Sequence, residues 1–139
     1  MIFRKCAGGI VFYDDSVLLL KNEKNEWVLP KGVVRDRRQL QEVAVSRVET
    51  EAGVKEPQII AMIGETCYEF YSVTRGRPVC NEVVWFLMTT KEAACRASSK
   101  DGFDEAGFFP YNDAVAKVTY SQDKALIRLA HKKLAQFKA

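Results

Sequence analysis

An α/β (α+β) domain, in which helices flank a central mixed β-sheet, is the fold class the sequence predicts. Three observations predict it: two pairs of β-prone runs, each joined by a short turn, a four-residue apolar repeat between the pairs, and a closing helical stretch after a last short strand. At 139 residues with 47% apolar and 28% charged side chains, the chain suits one hydrophobic core, and residues 1–139 read as a single domain.

The elements follow in order. Ala7 to Tyr13 and Ser16 to Lys21 are β-prone and joined by Asp14-Asp15, a hairpin signal. Gly8-Gly9 marks either a bulge or a close backbone approach. Trp27 to Leu29 is a short strand stopped by Pro30, and Lys31 to Arg37 reads as an irregular loop. From Arg38 to Ala52 the residues Leu40, Ala44 and Val48 recur every four, with Gly53 as a C-terminal stop. Gln58 to Val73 and Val79 to Thr90 form a long hairpin across the turn residues Thr74 to Pro78. Lys91 to Gly102 is a surface connection. Glu105 to Phe109 is a strand, Asn112 to Val118 a short helix, and Ser121 a cap for a closing helix to about Phe137.

Charge excludes little by itself: 21 basic against 18 acidic residues leave +3. The excess gathers locally, since Lys31, Arg35, Arg37 and Arg38 face only Asp36, a run that reads equally as a solvated loop or an anion site. Four cysteines without a C-x-x-C pair, and one histidine, argue against zinc. No apolar run reaches the ~18 residues of a membrane span, and no export signal is visible, so no membrane partner, a cytoplasmic location and free thiols are expected.

On a helical wheel centred on Leu40, Ala44 and Val48 fall at about 40° and 80°, while Arg47 and Glu51 fall near −20° and +20°. Two charges therefore share the apolar face. They either pair at i,i+4 or open onto a functional pocket, because buried charge is costly alone.

Gly32 to Val54 resembles the Nudix box, G-x5-E-x7-R-E-U-x-E-E-x-G-U with U a bulky aliphatic residue. Gly32, Val48, Glu51, Gly53 and Val54 stand in register. Ala7 to Val11 resembles the family's opening strand, Trp27 to Gly32 resembles the W-x-L/F-P-K-G stretch of its dinucleoside polyphosphate hydrolases, and Glu105 to Pro110 its late aromatic strand. The resemblance covers nearly the whole chain and implies the Nudix fold. It also implies divalent cations held by helix carboxylates, which polarise a diphosphate and activate water.

Departures fall on those carboxylates. Arg38 stands for the first glutamate, Ser46-Arg47 for Arg-Glu, and Thr50-Glu51 for Glu-Glu, so the box is degenerate. Hard cations need several oxygens. A unit charge ~4 Å away is worth about 4 kcal/mol at an effective dielectric of 20, so Arg47 opposes the cation. Either no cofactor or a weakly bound magnesium ion at Glu51 is expected.

The leading expectation is a protein that binds a nucleotide or other phosphorylated small molecule and hydrolyses it weakly or not at all. Lys31, Arg35, Arg38 and Arg47 would grip phosphate, and Tyr68 and Phe70, among the aromatics Trp27, Tyr71 and Trp85, would stack on a base. An active nucleoside or dinucleoside polyphosphate pyrophosphohydrolase would instead use Glu51 with Asp104 or Glu105. An inert interaction module would touch RNA through Arg35, Arg37 and Arg38. His131 reads as a boundary residue.

Overall fold

Alternation along β-strands buries both faces of one sheet. The computed structural model describes residues 1–35 and 39–138. Strand β1 (Ile2–Tyr13) turns into β2 (Ser16–Asn22) and is followed by β3 (Trp27–Val28), β4 (Lys31–Val33) and helix α1 (Leu40–Ala52). The long hairpin is β5 (Gln58–Ser72) and β6 (Arg77–Thr89). A 3-10 turn (Ser99–Asp101), β7 (Phe103–Pro110), α2 (Tyr111–Lys117) and α3 (Ser121–Lys138) complete the chain.

The path of the sheet is β3-β2-β1-β6-β5, with β4 on β1 and β7 on β2. Strands β1 and β6 run parallel, from Ile2↔Val79 to Phe12↔Thr89, while the other pairs are antiparallel. Ile10 and Phe12 of β1, with Val83, Trp85 and Leu87 of β6, pack against Leu126, Ile127 and Ala130 of α3. Their neighbours Ala7, Val11, Val84, Phe86 and Met88 pack against Val43, Ala44 and Val48 of α1. Each fully buried aliphatic side chain contributes about 1.5–3 kcal/mol, so the period-2 pattern ties both helical layers to one sheet.

The β1–β6 register is unbroken through Gly8-Gly9, so these glycines serve close approach rather than a bulge. A Cβ on Gly8 would stand 2.6 Å from both the Pro30 carbonyl oxygen and the Trp85 ring. The Lys31–Arg37 loop expectation needs correction, since its first part is β4. Strand β2 leaves β1 after Phe12↔Val17 and Tyr13↔Ser16, and the vacated edge pairs with Lys31, Gly32 and Val33. Arg37 and Arg38 lie outside the described residues. Helix α3 already includes Ser121, and the Asp123 and Lys124 amides donate to the Tyr120 carbonyl, so the cap falls one residue earlier than expected. Among the described residues no helix is long and apolar enough to cross a membrane.

The expectation of four free thiols is also corrected. Register brings Cys67 and Cys80 to diagonal positions on β5 and β6, where they form a disulfide with a Cα–Cα distance of 6.6 Å. Cys6 and Cys95 remain free. Denatured, non-reduced protein should therefore titrate two thiols, and reduced protein all four. Closing a loop of this size is worth about 3 kcal/mol, so replacing both Cys67 and Cys80 by serine should lower unfolding stability by about 2–3 kcal/mol. Four thiols before reduction would contradict the bond.

Candidate functional site

A cavity of about 940 Å³ opens between the start of α3 and the hairpin β5–β6, within the size range of small-molecule pockets. One wall is a cross-strand row on the α3 face of the sheet: Arg4 of β1, Asn81 of β6 and Tyr68 of β5 are register partners. The Arg4 Nε donates to Asn81 Oδ1 at 2.9 Å, and Asn81 Nδ2 donates to the Tyr68 hydroxyl at 2.8 Å. Phe70 stacks beside Tyr68 with ring centroids 6.2 Å apart. Lys31, delivered by β4, holds its Nζ 5.4 Å from the Tyr68 centroid. Trp85 lies deeper, its indole N–H bonded to Thr66 Oγ1 at 2.8 Å.

Glu51 enters the same cavity from the last turn of α1 and is only 5% exposed. Its Oε2 lies 3.7 Å from Arg47 Nη1, and its Oε1 has no hydrogen-bond partner. Burial pushes the carboxyl up to about 7, against the opposite pull of the Arg47 and Lys31 charges, while Asp101 adds to the rise. Arg47 reaches Glu51 by lying across Gly32, where a Cβ would stand 2.2 Å from Arg47 Nε. Both alternatives offered by the helical wheel are thus realised at once: the charges pair, and one of them lines a pocket. The end of α1 is held by the connection that follows β6, since the Arg96 and Ser98 amides donate to the carbonyls of Ala52 and Glu51.

Acidic groups occupy the mouth. Glu26 accepts from the Tyr120 hydroxyl and, at 3.0 Å, from Asn22 Nδ2; these bonds hold its carboxyl below the usual range and push Tyr120 up to about 12. Asp123, in the first turn of α3, is pushed up to about 6 by burial, with Lys31 opposing.

The structure brings Lys31, Glu51, Tyr68 and Phe70 to one cavity. Arg47 stands behind Glu51, and Arg35 is exposed away from the cavity lining; Arg38 lies outside the described residues. Asp104 and Glu105 on β7 are exposed and do not line the cavity; Glu105 instead pairs with Lys21 at 3.1 Å. Of the other aromatics, Trp85 lines the cavity, Tyr71 is 63% exposed outside it, and Trp27 packs edge-on against Phe109. His131, part-exposed as a boundary residue, lies 2.7 Å from Asp15 Oδ1 and stacks on Tyr111. Sequence reading missed Arg4, Asn81, Glu26, Tyr120 and Asp123. Only Asn81 left a signal, shared with Glu82, as the polar pair that interrupts the apolar run of β6.

A NUDIX domain profile matches residues 3–130. The chain belongs to the Nudix family. Solved Nudix structures share the fold: an Ap4A hydrolase from C. elegans in a binary complex is 18% identical with a TM-score of 0.71, covering 96% of this chain and 98% of that one. A dihydroneopterin triphosphate pyrophosphohydrolase from E. coli is 14% identical with a TM-score of 0.70, covering 91% and 95%. A MutT protein from Bacillus halodurans is 20% identical with a TM-score of 0.62, covering 90% and 80%. At these identities the likeness concerns the fold. The divalent cation of a Nudix box fits poorly with the donors present. Among the described residues no group of three or more His, Cys, Asp or Glu side chains is placed to hold a metal ion, and the Glu51 carboxylate faces Arg47.

Glu51 carries a measurable signature. Its folded value of about 7 exceeds the ordinary 4.5, so the folded state binds the proton more tightly. The resulting stabilisation is full below about pH 4.5 and is lost as pH rises through about 7. Glu51→Gln removes the buried charge and should stabilise the chain by about 2–3 kcal/mol at pH 8, an advantage that shrinks toward pH 4.5. Thermal melts at the two pH values check this. A variant less stable than wild type at pH 8 would show that the pairing with Arg47 outweighs burial.

Proposed function

We propose that this Nudix protein binds a nucleotide or other phosphorylated small molecule in the cavity beside Glu51, and that metal-dependent diphosphate hydrolysis there is weak or absent. The observation that carries this reading is the state of Glu51: a buried carboxyl, raised to about 7, with a guanidinium 3.7 Å away. The two other glutamates of α1, Glu42 and Glu49, are exposed and turn away from it. With Arg38, Ser46, Arg47 and Thr50 at the remaining positions, the box is degenerate as a cation cage.

Binding needs no metal bridge in this arrangement. Lys31 supplies a positive charge beside a pair of stacked rings, which suits a phosphate joined to a planar base. Arg47 is 38% exposed and can turn a terminal nitrogen toward the same phosphate; Arg35 is exposed shortly after β4, and Arg38 lies outside the described residues. The names of two fold neighbours, an Ap4A hydrolase and a dihydroneopterin triphosphate pyrophosphohydrolase, are consistent with a phosphorylated ring compound. A hydrolase recruiting Asp104 or Glu105 has less support, because neither reaches the cavity. RNA contact through the basic loop has only the exposure of Arg35 in its favour.

Calorimetric titration with ATP and with a diadenosine polyphosphate, each with and without magnesium, tests the reading. Binding should survive removal of the ion, and Lys31→Met or Tyr68→Ala should each weaken it about tenfold, equivalent to ~1.4 kcal/mol. Millimolar or tighter binding of magnesium or manganese to the free protein that disappears in Glu51→Gln would overturn it, as would rapid ion-dependent turnover.

A further inference from the structure

A cation remote from the Nudix box faces the same cavity. Arg4 stands on β1 four residues before Gly8, the register partner of Lys31. At ~3.3 Å per residue, the two cations leave the backbone about 13 Å apart. Each is over one of two neighbouring rings: Lys31 Nζ is 5.4 Å from the centroid of Tyr68, and Arg4 Cζ is 5.6 Å from that of Phe70.

Arg4 is held by one edge only. Its Nε is bonded to Asn81 Oδ1, and Asn81 is 4% exposed with its amide nitrogen committed to Tyr68. Turning the amide over would place two donors against each other, so Asn81 fixes the plane of the guanidinium. Among the described residues no carboxylate pairs with Arg4, and neither of its terminal nitrogens donates to another side chain. A guanidinium oriented through Nε presents those two nitrogens as a fork, whose spacing matches two oxygens of a phosphate or carboxylate.

We infer that Arg4 forms a second anion-binding subsite. It takes a further anionic group of the ligand, at the end remote from Lys31, while a planar ring carried beside the two anions packs against Tyr68 and Phe70. The substrate class is a phosphorylated ring compound with two separated anions, of which a nucleoside phosphorylated on both its 5′ and 3′ oxygens is the simplest. The inference rests on the nucleotide reading of the cavity and narrows it.

Calorimetry with the 5′-monophosphates and 3′,5′-bisphosphates of adenosine and guanosine tests both levels. Wild-type protein should bind at least one bisphosphate about tenfold more tightly than its monophosphate. In Arg4→Met that ratio should fall to about one, with monophosphate affinity changed less than about twofold. Arg4→Lys keeps the charge but loses the fork and the Asn81 anchor, and should reduce the ratio at least threefold; it carries the test if the methionine variant fails to fold. Equal affinity for both phosphorylation states in wild type overturns the subsite alone, and so does a ratio that persists in the variants. An equal loss of both nucleotides in Arg4→Met also overturns it, by reducing Arg4 to a support for Tyr68. If none of the four binds wild type, the subsite and the nucleotide reading fall together.

Discussion

The site depends on how closely the α1–β4 corner can approach β1. Gly8-Gly9 removes side chains from β1 where that approach is tightest: Pro30, Trp85 and Lys31 crowd Gly8 from one face, and Met88 and Val48 crowd Gly9 from the other. Strand β4 can then occupy the edge that β2 leaves after two register pairs, and it carries Lys31 into the cavity. Gly32, next on β4, gives Arg47 a flat surface to cross, and Arg47 in turn lies beside Glu51. A larger residue at position 8 or 32 would displace the chain of contacts at its base, because interiors are packed too densely to absorb a Cβ at 2.2–2.6 Å.

How much of this was legible follows from the range of each interaction. The α1 spacing placed Arg47 and Glu51 on one face, and Gly53 ended the helix with φ 64. Both are short-range properties, carried by periodicity and local backbone preference. Strand β4 was hidden because its pairing is dictated by a vacancy on β1, which no local pattern in Lys31–Val33 reveals. Arg4, Asn81 and Tyr68 meet only through the register of three strands, with Arg4 and Asn81 separated by 77 residues. The same register joins Cys67 to Cys80. The mouth of the cavity was hidden for a similar reason: Tyr120 and Glu26 are 94 residues apart.

Electrostatics divides the cavity into unlike halves. Glu26 is fixed in place by the Tyr120 hydroxyl and the Asn22 amide and keeps its negative charge, which the Lys31 charge also favours. Burial keeps Glu51 and Asp123 more easily protonated than exposed carboxyls, which further lowers the negative charge available near neutral pH. Lys31 is opposed by Glu51, Asp123 and Glu26, each of which feels its charge, whereas Arg4 has no carboxylate partner among the described residues. In a lining that also carries Glu23, Glu51, Glu69, Asp101 and Asp123, the two cations are distinguished by lying beside the Phe70 and Tyr68 rings.

The placement of unmet polar groups points to the same cavity on separate grounds. Folded chains satisfy nearly all buried polar atoms, because a missing partner costs about 1–3 kcal/mol. Among the described residues, Glu51 Oε1 is the buried side-chain oxygen that lacks one, and Glu51 lines this cavity. Arg4, with its terminal nitrogens undirected toward any protein acid, lines it too. Elsewhere the long-range polar pairs close on themselves, as Lys5 does with Glu65 and His131 with Asp15. A buried carboxylate oxygen without a partner and a guanidinium end without a protein acid thus line one cavity, although the side chains around them are hydrogen-bonded to one another.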